Sequence, residues 1–243
     1  MSPPTAPSAP ALPLAVRLRL WRDRRRLLRG IDRGRLAEVR RRFAEHSPEA
    51  ANSKYWQIDR QLAKNLRRAH RLGLDRSARR LAVLDLGAGF GYFAAVCGFY
   101  GHSALALDLD DALPEPHGSL YGAVTRVLGV ERVLWTIEPF RPLPETGRRY
   151  DLVTAFAALF NAPATERPWG AAEWRFFLAD LAARVLAPEG RLFLNLNRRR
   201  DGRYLDDETA ELFRAAGAEI DGRNVSFHGL QARLAAGGAA PEA

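Results

Sequence analysis

Val83–Phe93 reads VLDLGAGFGYF, an apolar run that opens into glycines at Gly87, Gly89 and Gly91. Removing side chains at every second position allows positive backbone φ. It also lets a ligand reach main-chain N–H groups at the start of the next helix. Leu81–Leu86 has the length and composition of a buried strand, and Gly91–Tyr100 reads as a helix stopped by Gly101. A glycine-rich turn from strand to helix is where open α/β sheets hold ligands. No Gly-Lys-Ser/Thr follows, which excludes a P-loop. Gly89-Phe90-Gly91-Tyr92-Phe93-Ala94 satisfies the dinucleotide pattern G-x-G-x-x-A. Counted from Gly87, that pattern fails, because Tyr92 stands where the third glycine belongs. The loop by itself therefore admits a nicotinamide dinucleotide as well as other ligands.

Downstream, strands and helices alternate. Ala104–Leu109 is a second strand, Ser119–Leu128 a helix, Val133–Ile137 a third strand and Asp151–Phe156 a fourth. A long helix runs from Pro168 to Leu186, Arg191–Leu196 is a fifth strand, Asp206–Ala216 a helix, and Glu219–Phe227 a last strand or hairpin. Strands apolar on both faces, joined by helices, predict a doubly wound, mostly parallel Rossmann-like sheet of the seven-stranded type with shortened last strands. Upstream, Leu14–Ala44 reads as helix broken near Gly30 or Gly34. Tyr55, Ile58, Leu62, Leu66 and Ala69 form one apolar stripe ahead of a stop at Gly73. The stripe is expected to dock onto the domain that follows. The implied organisation is a disordered tail over 1–13, a basic helical arm over 14–80, a ligand-binding domain over 81–230 and a second tail over 231–243.

The 243 residues carry a formal net charge of +9. The distribution is uneven: residues 1–80 hold 21 Arg and Lys against 7 Asp and Glu, whereas residues 81–243 hold 16 against 21. A basic arm on a mildly acidic domain suits nucleic acid, an anionic membrane or an acidic substrate, and it equally suits a solvated helix face. No apolar run approaches the roughly 20 residues of a membrane-spanning helix. The Pro/Ala-rich N-terminus lacks the basic start of a secretory signal. Cys97, the sole cysteine, can form no internal disulfide and reads as a small buried hydrophobe, which fits a reducing cytoplasm. His102, His117 and His228 stand at no metal-ligand spacing, and no metal is expected.

Asp85 precedes Gly87 by two residues, and Asp108 ends the second strand. WTIEPFRPLP, RRYDLVTAF and LAPEGRLFLNLN then follow in order. Together these segments, over about residues 81–227, resemble the class I S-adenosylmethionine-dependent methyltransferases. The resemblance implies S-adenosyl-L-methionine as cofactor. Gly87, Ala88, Gly89 and Gly91 would pack against its methionyl part. Asp85 would orient the loop and accept from the α-ammonium, and Asp108, with Leu109 beside it, would bind the ribose. Glu138, at the end of the third strand, or Phe140 would meet the adenine, and Ala157 and Ala158 would line the methyl-donor cavity. The amino-methylating Asn/Asp-Pro-Pro-Tyr type motif is replaced here by AFAALFN, which disfavours exocyclic amines of bases.

No catalytic residue is assigned, because the sulfonium donor is already activated and positioning supplies most of the catalysis. Phe160, Asn161, Trp169 and Trp174, past the fourth strand, and Asn195 and Asn197, past the fifth, are candidates for the acceptor pocket. The acceptor expected is a small molecule or a glycan- or lipid-linked metabolite. The rival readings are RNA methylation using the Arg-rich arm on phosphates, an NAD(P)-dependent oxidoreductase, and a non-catalytic module whose arm binds a membrane or a partner.

Overall fold

The computed structural model describes residues 12–44, 54–109, 112–113, 118–158, 160 and 167–236. Its main sheet has seven strands: β1 Ala82–Leu86, β2 Ser103–Asp108, β3 Glu131–Leu134, β4 Tyr150–Phe156, β5 Leu186–Asn195, β6 Glu219–Asp221 and β7 Asn224–His228. Their order is β3-β2-β1-β4-β5-β7-β6. The pairs β3–β2, β2–β1, β1–β4 and β4–β5 are parallel, whereas β7 runs antiparallel to both β5 and β6. The mostly parallel doubly wound sheet is thus observed, and the last segment is a hairpin. The strand order reverses between β1 and β4, so their C-terminal ends open a crevice there.

The basic N-terminal segment forms α1 Leu14–Gly30, α2 Arg33–Ala44, a 3₁₀ turn at Lys54–Trp56 and α3 Ile58–Arg71. Gly73, with φ 77°, stops α3 as expected. These helices share one core with the sheet. Leu62, Leu66 and Ala69 of α3, all fully buried, pack in one cluster with Val83, Leu152 and Phe193 from β1, β4 and β5 and with α4, Tyr92–Phe99. Each buried leucine contributes on the order of 1.5–3 kcal/mol. Leu20, Leu36 and Phe43 from α1 and α2 join the same cluster, beside α5, Leu120–Val127.

The other face carries α6 Ala171–Asp180, which continues as a π-helical turn over Leu181–Val185, and α7 Asp207–Ala215. Here Trp174, Phe177, Phe213 and Phe227 build an aromatic core. The helix expected from Pro168 begins at Ala171, where the Glu173 carboxylate accepts from the Gly170 N–H. A last helix, α8 Leu230–Ala236, occupies the start of the segment expected as a tail. Fully buried Leu230 anchors it, and the Gln231 side chain donates to the Ala182 carbonyl. The tail expected over 1–13 lies outside the described residues up to position 11, as does the part of the second beyond 236.

Gly91, at φ 74°, links the glycine turn to the helical layer. A Cβ there would lie 2.9 Å from the Thr125 Cγ2 and 3.4 Å from the Val130 Cγ1. Thr125 is buried and β-branched, so it has little freedom to yield. Gly91→Ala is expected to cost roughly 1–3 kcal/mol through backbone strain and overpacking. Chemical denaturation reads this; an unchanged midpoint and slope would mean that the turn has another shape.

Candidate functional site

The crevice is floored by the turn after β1. Gly87 and Ala88 both donate to the Leu107 carbonyl, at 2.8 and 3.2 Å, and Gly91 donates back to Ala88 at 2.9 Å. The Asp108 carboxylate accepts from the Gly89 N–H on one oxygen and from the Leu109 N–H, at 2.8 Å, on the other. The strand-end acid therefore ties the loop to β2, a role additional to the ribose contact implied by the resemblance. Gly87 is glycine because the segment after β4 crosses it: a Cβ would come within 3.1 Å of the Ala158 Cβ. At Gly89, with φ 53°, a Cβ would meet nothing within 4 Å, so this stretch of backbone faces open space.

Asp85 lies beneath the loop and is 3% exposed. It accepts from the Thr154 hydroxyl at 2.8 Å. Burial pushes its carboxyl up to about 7. The Thr154 hydrogen bond and the Arg68 guanidinium oppose that rise, and Asp108 adds to it. Arg68 comes from α3. Its guanidinium lies 3.9 Å from the centroid of the Phe156 ring and donates to the Asn65 side chain at 2.8 Å. Burial lowers its pKa to about 10, with Asp85 as the main opposing charge. A buried carboxyl and a largely buried guanidinium thus act on each other near the ends of β1 and β4. The sequence reading passed over Arg68 as one more arginine on a solvated helix face.

Aromatic rings close one side. Tyr55 and Trp56, from the 3₁₀ turn, pack on Phe90 of the glycine loop at centroid distances of 5.7 and 5.0 Å. The Tyr92 hydroxyl donates to the Tyr55 carbonyl at 2.9 Å. The N-terminal segment therefore covers the loop that the sequence singled out.

Other expected site residues divide. Ala157 stands just past β4 with φ 59°, a backbone strain that a non-glycine residue holds only where its surroundings impose it. Its N–H donates to the Asn195 carbonyl at 2.7 Å. The Asn197 side chain donates to the carbonyls of Ala157 and Ala158, at 3.0 and 2.9 Å, and so sets the wall of the crevice. The Asn195 side chain turns away and donates to Asn224 at 2.7 Å.

Phe160, Trp169 and Trp174 are 5%, 6% and 1% exposed and stack on one another and on Phe177 in the core. Asn161 lies outside the described residues. The strand-end placement of Glu138 is corrected: β3 ends at Leu134, and Glu138 sits in the following loop, exposed and paired with Arg141. Phe140 is 55% exposed and packs on Phe176 of α6. Nearer the site, Trp135 donates its backbone N–H to the Asp108 carbonyl at 2.9 Å. Its buried indole N–H has no hydrogen-bond partner among the described residues. Leu109 is exposed beside Asp108.

His102 is buried between the Leu81 N–H and the Leu74 carbonyl, which satisfy both ring nitrogens, and His228 is exposed. His117 lies outside the described residues. No metal-binding cluster exists among the described residues, and none of their helices is long and apolar enough to cross a membrane. Cys97 is buried and its thiol is pushed well up by that burial, as befits a packing residue. A concavity of about 980 Å³ lies along α1 and the start of α2 among Trp21, Arg25, Arg29 and Arg33.

No protein-family model and no curated protein matches the sequence. Solved structures do resemble its fold. The glycopeptide N-methyltransferase MtfA has a TM-score of 0.40 and 18% identity over 58% of this chain and 55% of its own, so the chain spans little more than half the length of MtfA. DesVI of Streptomyces venezuelae has a TM-score of 0.47 and 15% identity, over 69% of this chain and 91% of its own. CalS10, an amino pentose methyltransferase from Micromonospora echinaspora solved with S-adenosylmethionine bound, has 0.46 and 19%, over 68% and 89%. These are likenesses of the sheet, and the site is read from its own residues.

The buried carboxyl of Asp85 makes stability depend on pH. Its folded pKa of about 7 exceeds the 3.8 of a free side chain. The native state therefore keeps a proton that the unfolded chain releases. The contribution is complete below the unfolded value and is lost as pH rises through about 7. Asp85→Asn should remove that decline, up to about 4 kcal/mol across the window. Thermal unfolding of both proteins between pH 4 and 8 reads the difference; parallel profiles would mean that Asp85 is not held in this way.

Proposed function

We propose that the chain is a class I S-adenosylmethionine-dependent methyltransferase acting on a small-molecule acceptor. One observation carries the reading: the backbone is open at Gly89, whose N–H is held by Asp108, while the buried Asp85 carboxyl lies within the influence of both Asp108 and the Arg68 guanidinium. The methionyl end of the cofactor bears an ammonium and a carboxylate on one carbon. Asp85 supplies an acceptor for the first and Arg68 a fork of donors for the second. Asp85, a buried acid beneath the loop, disfavours a dinucleotide, whose pyrophosphate is held by N–H donors. Gly87, Ala88, Gly89 and Gly91 would form the cradle, with Gly89 open to a ligand.

When bound, S-adenosylmethionine supplies an activated methyl group for in-line displacement. The protein's part is positioning. Asp108 keeps the loop against β2 and retains lone pairs for the ribose hydroxyls. Asn197 fixes the Ala157–Ala158 wall, and Tyr55 and Trp56 keep water from the loop side. No side chain of the crevice is assigned as general base. Trp135, whose backbone N–H is bonded to the Asp108 carbonyl, is a further candidate for the adenine contact. The acceptor enters from the ends of β4 and β5. Among the described residues no RNA-binding module stands there, which favours a small molecule over RNA.

Asp108→Ala should weaken S-adenosylhomocysteine binding about 10- to 100-fold, the size of lost hydrogen bonds to a charged acceptor. Calorimetry measures it, with circular dichroism confirming that the variant is folded. NADPH binding without S-adenosylhomocysteine binding would overturn the reading.

A further inference from the structure

α1 carries apolar side chains on two opposite faces. One face looks inward: Leu20 is buried, and Val16 and Leu27 pack against the core cluster shared with α3 and α4. On the other, Leu14, Leu18 and Trp21 recur at i, i+4 and i+7, which places them in one stripe. These three side chains are 66%, 47% and 46% exposed. Single exposed hydrophobic residues are ordinary, whereas three aligned on one helix face mark an interaction surface.

Arginines continue the same face. Arg22, Arg25 and Arg29, all exposed, follow Leu18 at helical spacing. The Arg25 guanidinium lies over the Trp21 ring, 4.8 Å from its centroid, and Arg29 donates to the Arg25 carbonyl at 3.3 Å. With Arg26 and Arg33 they line the concavity of about 980 Å³. The acid among its lining residues, Asp32, accepts from the Arg35 N–H at 2.9 Å and so caps α2. Residues 14–44 hold 12 arginines against three acids, Asp23, Asp32 and Glu38. The adjoining stretches of chain, 1–11 and 45–53, contain no leucine, isoleucine, valine or aromatic residue, and two acids, Glu45 and Glu49. They can supply neither large side chains to cover the stripe nor enough charge to balance the arginines.

We propose that the outer face of α1 docks on the surface of an anionic lipid bilayer. The helix lies in the plane of the interface, with Leu14, Leu18 and Trp21 at the acyl boundary and Arg22, Arg25 and Arg29 extended to the anionic headgroups. Other occupants fit less of the pattern. Two copies of the chain meeting through this face would press their arginines together. RNA would satisfy the arginines and leave the leucines in water. None of these side chains is among those of the glycine crevice, so the docking face and the methyl-donor site are independent.

Co-sedimentation of the full chain with lipid vesicles tests this, comparing phosphatidylglycerol and phosphatidylcholine in equal parts with phosphatidylcholine alone. Binding to the anionic vesicles is expected to be tighter by about tenfold or more and to weaken as salt rises. The Leu14→Gln, Leu18→Gln, Trp21→Gln variant should lose about tenfold or more of that binding. The Arg22→Gln, Arg25→Gln, Arg29→Gln variant should lose most of its salt dependence. All six positions are exposed, so the variants should fold, which circular dichroism and an unchanged thermal midpoint verify. Equal binding to the two kinds of vesicle, or equal binding by the wild type and the first variant, would overturn the proposal. So would a dimer that the first variant converts to monomer, which would mean that a second copy covers the stripe. Salt-sensitive binding of an RNA oligonucleotide through these arginines, with no vesicle binding, would overturn it as well.

Discussion

The burial of Leu62, Leu66 and Ala69 against β1, β4 and β5 fixes how α3 is turned, and the site depends on that rotation. An α-helix presents side chains four apart on one face. Once the apolar stripe is pinned to the sheet, Arg68 projects onto Phe156 at the end of β4. A helix rotated by one residue would carry Arg68 away from that ring and expose the leucines. A packing interaction remote from any ligand thus sets the electrostatics at Asp85.

The same docking explains much of the Arg-rich composition of the first eighty residues. Arg19 reaches the fully buried side chain of Asp75, which also meets His70 at 2.8 Å. Arg33 pairs with Asp59, and Arg79 with Asp151 on β4. Several of these arginines therefore fasten helices to one another and to the sheet. Exposed pairs of this type are individually worth well under 1 kcal/mol or so, and their value lies in register. The positive charge left over gathers at α1 and α2.

The glycine turn, the strand-end position of Asp108 and the alternation of strands and helices were legible in the sequence. Each follows from local requirements: backbone dihedrals, strand length, a helix stop. The burial of Phe160, Trp169 and Trp174 was not legible, because residue type and chain position give no direction. Trp174 turns inward onto Phe213, and Phe160 and Trp169 pack on Trp174 and Phe177. Glu138 was misplaced because β3 is a short edge strand, where pairing ends by geometry and not by composition. Arg68 was overlooked because its signal, one arginine among many on an amphipathic helix, becomes distinct only beside Phe156 and Asp85.

The shared core also bears on how the chain folds as it is made. α1, α2 and α3 are synthesised first, yet Leu62 and Leu66 find their partners only after β4 and β5 have emerged. Until then an amphipathic, highly cationic helix waits without its sheet. Closure of so long a loop is entropically slow, so formation of the site belongs to a late step of folding. A fragment starting at the glycine strand would keep α4 and α5 on that face but lose Leu62, Leu66 and Ala69, leaving part of the apolar surface around Val83, Leu152 and Phe193 open to water. The stability of the ligand-binding loop thus draws on chain that lies well ahead of it.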